Sequence, residues 1–196
     1  MEMKSSTSEA TRERILLAAT ELFLARGYEQ TTTRDITKML NITQPALYHY
    51  FGDKETLFVE VIDRVGKQVA EGMRLVLQQS YDQPSDQLVA MTEIIVTYHP
   101  RDVFTLIHSS FISLSSDNQK ALGIIFGRDY VAPIAQFFAK EAVKLRKNMD
   151  ARMASSFYIT SLAPLFGDFH KLGNDVSMKK RIEQLLDLIL YGVLER

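Results

Sequence analysis

The sequence predicts an all-α protein. Three observations carry that prediction: apolar residues recur at helical spacing nearly throughout, no stretch alternates apolar and polar residues long enough for a sheet, and caps and Gly or Pro breaks punctuate the periodic segments. The chain has 196 residues, 46% hydrophobic and 24% charged, enough for a sizeable core and one or two compact domains. It contains no cysteine, which excludes disulfides, thiolate nucleophiles and thiolate zinc sites and leaves the fold to rest on packing. No apolar run approaches the roughly 20 residues of a membrane helix, and the opening MEMKSSTSEA lacks the apolar stretch of a secretory signal. No membrane partner is therefore expected, and the cytoplasm is the expected location.

The first helix is expected over about residues 9 to 26, where Ile15, Leu16, Ala19, Leu22 and Phe23 form one stripe and Gly27 offers a stop. Thr31, Thr32 and Thr33 then supply an N-cap region for a short helix holding Ile36, Met39 and Leu40. Asn41 ends it, because Asn tolerates the left-handed conformation of a tight turn. Thr43 caps the next helix, and Pro45 is acceptable in a first turn, where N–H groups have no intrahelical acceptor. Residues 55 to 79 read as a long connector with Leu57, Phe58, Val61, Ile62, Val65, Val69 and Met73 on one side. Breaks at Tyr81–Ser85, His99–Pro100, Ser115–Asn118, Asn148 with Asp150, and Gly173–Ser177 delimit about five further helices. Pro133 and Pro164 fall inside apolar segments and predict kinks or breaks there.

Residues 32 to 51, TTRDITKMLNITQPALYHYF, have the dimensions of a helix-turn-helix. In such a unit the N-terminal residues of the second helix face the major groove and the first helix crosses the backbone. Gln44 can offer donor and acceptor together to a base edge, Pro45 and Ala46 can touch a thymine methyl, and His49 can donate or accept. Thr33, Thr43, Tyr48, Tyr50 and Lys54 are donors suited to phosphate oxygens, and Thr32 and Arg34, at the start of the first short helix, are further candidate DNA contacts. Charge adds nothing to this reading. The whole chain carries 23 Lys and Arg against 24 Asp and Glu, and the first 54 residues carry seven of each sign, so any contact with a polyanion must come from local placement. Three short helices with a tight turn also make purely structural bundles, in which Leu47 and Phe51 are simply core.

Residues 11 to 58 resemble the N-terminal domain of the TetR family. That family's pattern runs A-x-x-L-F-x-x-x-G-[FY], then T-[ST]-x-x-x-I-A, then A-G-V-S-x-G-x-L-Y-x-H-F, then K-x-x-L. Ala19, Leu22, Phe23, Gly27, Tyr28, Thr31, Thr32, Ile36, Leu47, Tyr48, Phe51, Lys54 and Leu57 fall in register with it. Leu40 stands for the usual alanine, Asn41 and Pro45 for glycines, and Tyr50 for a histidine; the ring of Pro45 stands where backbone normally approaches DNA closely. The resemblance implies a flexible tail over 1–8, a DNA-binding domain over 9–54, and a helical effector-binding and dimerisation domain over 55–196. It implies about nine helices in all. By it, Thr33, Tyr48, Tyr50 and Lys54 sit at phosphate positions, and Gln44, Pro45, Ala46 and His49 on or near the base-reading surface.

The resemblance further implies a homodimer joined through the last two helices, about 149–172 and 177–194, with double-stranded operator DNA and a small-molecule effector as partners. Ile182, Leu185, Leu186, Ile189, Leu190 and Val193 supply a stripe that can be core or interface. A pocket lining is available in Phe104, His108, Phe111, Phe126, Tyr130, Phe157, Tyr158 and Phe166, with His108 as a polar group in an apolar wall, although aromatics at helical spacing are more often core. Such a lining favours an aromatic or lipophilic effector whose binding moves the 55–79 connector. An enzyme finds no support: His49, His99, His108 and His170 form no HExxH or i, i+4 pair, and there is neither a G-x-S-x-G elbow nor a glycine-rich phosphate loop. No catalytic residue, cofactor or metal is expected. A regulator that needs no effector, or that activates, is the alternative.

Overall fold

Local capping sets the ends of the first elements in the computed structural model, which describes residues 2–99, 101, 103–166 and 176–191, without the side chains of 2–7 and 103–106. Helix α1 (Glu2–Arg26) stops where Gly27 turns to φ 88 and its N–H donates to the Phe23 carbonyl at 2.8 Å. It starts well before residue 9, because nothing in the opening residues, neither Gly nor Pro, breaks a helix. The expected tail over 1–8 is thus drawn as helix from Glu2 onward. Helix α2 (Thr33–Leu40) begins at the N-cap Thr32 and ends at Asn41, whose φ of 53 is the left-handed turn its amide side chain tolerates. Helix α3 (Gln44–Phe51) begins at the N-cap Thr43, carries Pro45 in its first turn, and ends at Gly52.

The remaining elements are α4 (Lys54–Leu77), α5 (Pro84–Tyr98), α6 (Val103–Phe111), α7 (Ser116–Phe126), a π turn (Gly127–Val131), α8 (Ala132–Phe138), α9 (Ala151–Thr160), a 3-10 turn (Ala163–Leu165) and α10 (Met178–Tyr191). Both expected proline distortions occur. Pro133 has no N–H to donate, and the helix widens just before it into the π turn, closed by the Ala132 N–H on the Gly127 carbonyl. Pro164 sits in the 3-10 turn that follows α9. Because the π turn joins α7 to α8 without a break, the ten α segments make nine helical rods among the described residues, with no strand among them. The penultimate helix is shorter than the expected 149–172, ending at Thr160; residues 167–175 and 192–196 lie outside the described residues.

Residue contacts divide the chain into two compact units, 1–65 with 106–123, and 66–105 with 124–196, a different partition from a cut after residue 54. In the first, Ile15, Ala19, Phe23, Ile36, Leu47, Leu57, Phe58 and Val61 are fully buried. Phe58 is the hub: its ring meets Phe23 edge-on at 5.2 Å and Tyr28 at 4.9 Å. Arg12 with Glu60, and Arg64 with Glu13 at 2.6 Å, pair α1 with α4 at part-exposed positions, so each contributes at most about 1 kcal/mol. The Glu55 carboxylate accepts from the Ser115 N–H at 2.9 Å and the Asn118 amide at 2.8 Å, and those bonds hold its pKa below the usual carboxylate value.

In the second unit α8 packs on α9, and α10 on α5. Its core holds buried polar pairs. The Thr92 and Tyr158 hydroxyls lie 2.5 Å apart, the Ser155 hydroxyl donates to the Val131 carbonyl at 2.8 Å, and His99 Nε2 lies 2.7 Å from the Tyr130 hydroxyl. Asp129, also buried, accepts from Arg128 through both carboxylate oxygens at 2.7 and 2.5 Å. Each pair satisfies groups whose desolvation would otherwise cost roughly 1–3 kcal/mol.

Candidate nucleic-acid interface

Helix α3 is anchored by two side chains and presents most of the others. Leu47 and Phe51, one turn apart, are buried beneath it, and the Arg12 guanidinium covers the Phe51 ring at 4.7 Å from its centroid. The opposite face keeps Thr43, Pro45, Tyr48 and His49 exposed, with Gln44, Ala46 and Tyr50 partly so. Tyr48 is 42% accessible, unusual for a large ring on so short a helix. Thr43 Oγ1 accepts from the Ala46 N–H at 3.4 Å, so its hydroxyl serves as a cap while remaining exposed.

Thr33 joins the two short helices. Although mostly buried, its hydroxyl accepts from the Gln44 amide nitrogen at 3.4 Å and lies 3.1 Å from the Tyr48 hydroxyl. Thr33, a candidate phosphate donor in the sequence, orients these two neighbours in the fold. Thr32 is likewise committed locally. Its hydroxyl donates to Asp35 Oδ2 at 2.6 Å, and its N–H donates to the same oxygen at 2.9 Å, completing a capping box. The Thr32 hydroxyl is the leading cause of a lowered Asp35 pKa, followed by the Thr32 backbone bond. Arg34, the next residue but one, is exposed.

Lys54 is less extended than a free clamp. Its ammonium sits 4.0 Å from the centroid of the Tyr28 ring, and burial lowers its pKa while Glu29 opposes that shift. Tyr28 is pushed up to about 12, chiefly by burial and then by Glu55, Glu29 and Asp53. The Tyr50 hydroxyl, at 3.5 Å from Ser8 Oγ, leans on α1, and its ring meets His49 edge-on at 5.4 Å. Asp35, Ser8 and the role of Tyr28 were missed in the sequence. The T-x-x-D spacing of Thr32 and Asp35 would have revealed the first; nothing local signals the other two.

The expected ligand lining is divided between the two compact units. Phe126 stacks on Tyr130 at 5.6 Å, but Tyr130 is fully buried against His99, and Tyr158 is fully buried against Thr92 and Phe138. Phe157 is 54% exposed and Phe166 partly so, while the Phe104 side chain lies outside the described residues. His108 and Phe111 belong to the other compact unit. Helix α6 buries Ile107 and Ser110, three apart, which turns His108 and Phe111 outward; His108 is exposed, not set in an apolar wall. Among the described histidines the buried one is His99, 1% exposed at the end of α5, with Nδ1 unpartnered among the described residues and its pKa pushed down to about 4 by burial.

Residues 15–61, which contain both short helices, match the family described as "Bacterial regulatory proteins, tetR family". This segment belongs to the TetR family. Over 113 residues the chain is 34% identical to the HTH-type transcriptional repressor BepR of Brucella suis biovar 1, spanning 54% of this chain and 54% of that one, so the match covers about half the length of that relative. The TetR-family regulator PfmR of Thermus thermophilus superposes with a TM-score of 0.65 at 25% identity, covering 93% of this chain and all of that one (100%). A transcriptional regulator from Saccharomonospora viridis, solved with choline, shares the fold with a TM-score of 0.71 at 19% identity, covering 96% and 100% of the two chains. The all-α TetR architecture thus extends over nearly the whole chain.

Proposed function

We propose that this protein is a DNA-binding transcriptional regulator, a cytoplasmic homodimeric repressor that reads operator DNA with α3 and is released by a small molecule. The observation that carries the reading is the division of α3 into a buried pair, Leu47 and Phe51, and an accessible face carrying Gln44, Pro45, Ala46, Tyr48 and His49. A helix serving only a bundle has no need of an exposed tyrosine and histidine beside a capped N-terminus. Gln44, Pro45, Ala46 and His49 meet base edges. Tyr48, Tyr50, Thr43, Arg34 and Lys54 engage phosphates, aided by the α3 N-terminus. Thr33 and Thr32 support them from behind, the first by orienting Gln44 and Tyr48 and the second by holding α2 in register.

Two copies must present their α3 helices about 34 Å apart to meet successive major grooves, and α9 with α10 supply the dimer contact. Support for this includes apolar side chains left exposed on both helices: Met153 on α9 and Met178 on α10. The repressor BepR supports the direction of regulation, and the choline-bound regulator supports a small-molecule effector. Effector binding shifts α4, which runs from the first compact unit into the second. Only binding and release are required of these residues, with no covalent step.

The test is selection of preferred duplexes from a random library, followed by mobility shifts at fixed salt. Tyr48→Ala should weaken all sequences alike, whereas Gln44→Ala should erase roughly 1–3 kcal/mol of discrimination at one base position. If Gln44→Ala weakens every duplex equally and Tyr48→Ala changes the preferred sequence, the assignment of roles is wrong; no duplex binding at all sinks the reading.

A further inference from the structure

We propose that the cavity between the start of α5, the end of α8, residues 142–149, α9 and the end of α10 binds an organic anion with an apolar body, a single carboxylate on an alkyl or aryl chain. The cavity measures about 510 Å³, within the roughly 300–1,000 Å³ of small-molecule sites. Its wall is largely apolar, with Phe137, Phe138, Leu145, Met149, Phe157 and Leu188 among the lining residues. Among the described residues, two that line it carry charge, Lys144 and Arg146, both positive, and no Asp or Glu does. An apolar body gains from the wall, and the sign of the charged end is chosen by the two cations.

The segment bearing those cations is pinned at both ends. Lys140 Nζ donates to the Gln87 side-chain oxygen at 2.6 Å and to the Leu77 carbonyl at 3.2 Å, while Gln87 donates to the Val76 and Gln79 carbonyls at 2.9 and 3.2 Å. Lys140 is therefore committed to closing the end of α4. At the other end Asp150 caps α9, accepting from the Met153 N–H at 2.7 Å. Turns closed by the Val143 N–H on the Lys140 carbonyl at 2.9 Å and the Met149 N–H on the Arg146 carbonyl at 3.0 Å hold the intervening residues. Lys144 and Arg146 are exposed on this braced segment, where their charge can meet a ligand head group at the cavity mouth. Phe157 remains 54% accessible beside Tyr158, which is fully buried, so one aromatic face of the wall is left for an occupant.

As a binding site this stands on the cavity alone; as the effector site of the regulator it rests on the function proposed above. The probe is decanoate, titrated calorimetrically into the full chain beside its neutral twin decanol and its cationic twin decyltrimethylammonium, all below their micellar range. Decanoate should saturate at one per chain. Lys144→Gln with Arg146→Gln should weaken decanoate about tenfold and remove its salt sensitivity, leaving decanol unchanged. Phe157→Ala should weaken decanoate and decanol together, and all three positions are exposed, so folding is not at risk. Absent saturation, equal decanoate binding by wild type and the doubly neutralised chain, or equal uptake of the cationic twin would each overturn the assignment. Uptake confined to concentrations at which sedimentation finds monomer would also overturn it, since a second copy would then close the cavity. Mobility shifts on the same samples separate the two ideas: duplex binding without decanoate binding removes only the ligand assignment, and decanoate binding without duplex binding removes only the proposed function.

Discussion

The helix-turn-helix and the core of the second compact unit use polar side chains in opposite ways. Around α2 and α3 most polar groups act close to home: Thr32 bonds Asp35, Thr43 bonds Ala46, and Gln44 reaches Thr33 eleven residues away, while Tyr50 reaches back to Ser8 on α1. In the second unit they join distant parts of the chain, His99 with Tyr130 across 31 positions and Thr92 with Tyr158 across 66. Local bonds leave an outward face for a partner, whereas distant ones specify how helices dock and leave little exposed. The polar residues of the first region therefore serve recognition and those of the second serve packing.

The largest expected effect tests whether the outward face depends on the core beneath it. Phe58→Ala empties the hub of the Phe23–Tyr28–Phe58 cluster and should cost about 3–5 kcal/mol in urea unfolding. Its duplex preference, measured where the chain is still folded, should be unchanged; a new preferred sequence would mean that core and reading face are not separable.

Acid should act mainly on the second region. The His99 pKa is depressed by burial from 6.5 to about 4, so on acidification the unfolded chain takes the proton first. Stability from this group is fully present above about pH 6.5 and drains away as pH falls toward 4. The loss near pH 5 is about 2 kcal/mol, and His99→Gln should flatten the profile relative to wild type. Parallel profiles for the two chains would show that His99 is not held neutral.

The smallest effects set the two uses of threonine side by side. Thr92→Val keeps the shape but strands the buried Tyr158 hydroxyl, for a loss of roughly 1–3 kcal/mol. Thr43→Ala removes an exposed cap and should cost about 1 kcal/mol. Melting both variants beside wild type checks the order, and a larger loss at Thr43 would erase the contrast.

The same contrast explains what could be read in advance. Asn41, Thr43, Pro45 and Gly27 were legible because each acts on backbone groups within about one turn of itself. The choice between His99 and His108 was not, since both lie beside apolar neighbours and only the face that α6 turns inward separates them. Lys54 looked like a free cation because nothing in its spacing from Tyr28 announces a ring beneath it.

From the sequence alone came the all-α class, the two short helices with their caps, and the residues on the outward face of α3. These follow from helical periodicity and from bonds spanning three or four residues, which a linear chain carries in plain order. The tertiary structure alone decided which aromatics are buried, that Thr33 serves Gln44 and Tyr48, and where a cavity with two cations opens. Those outcomes depend on which distant segments share a core, and packing between such segments is a property of the folded chain.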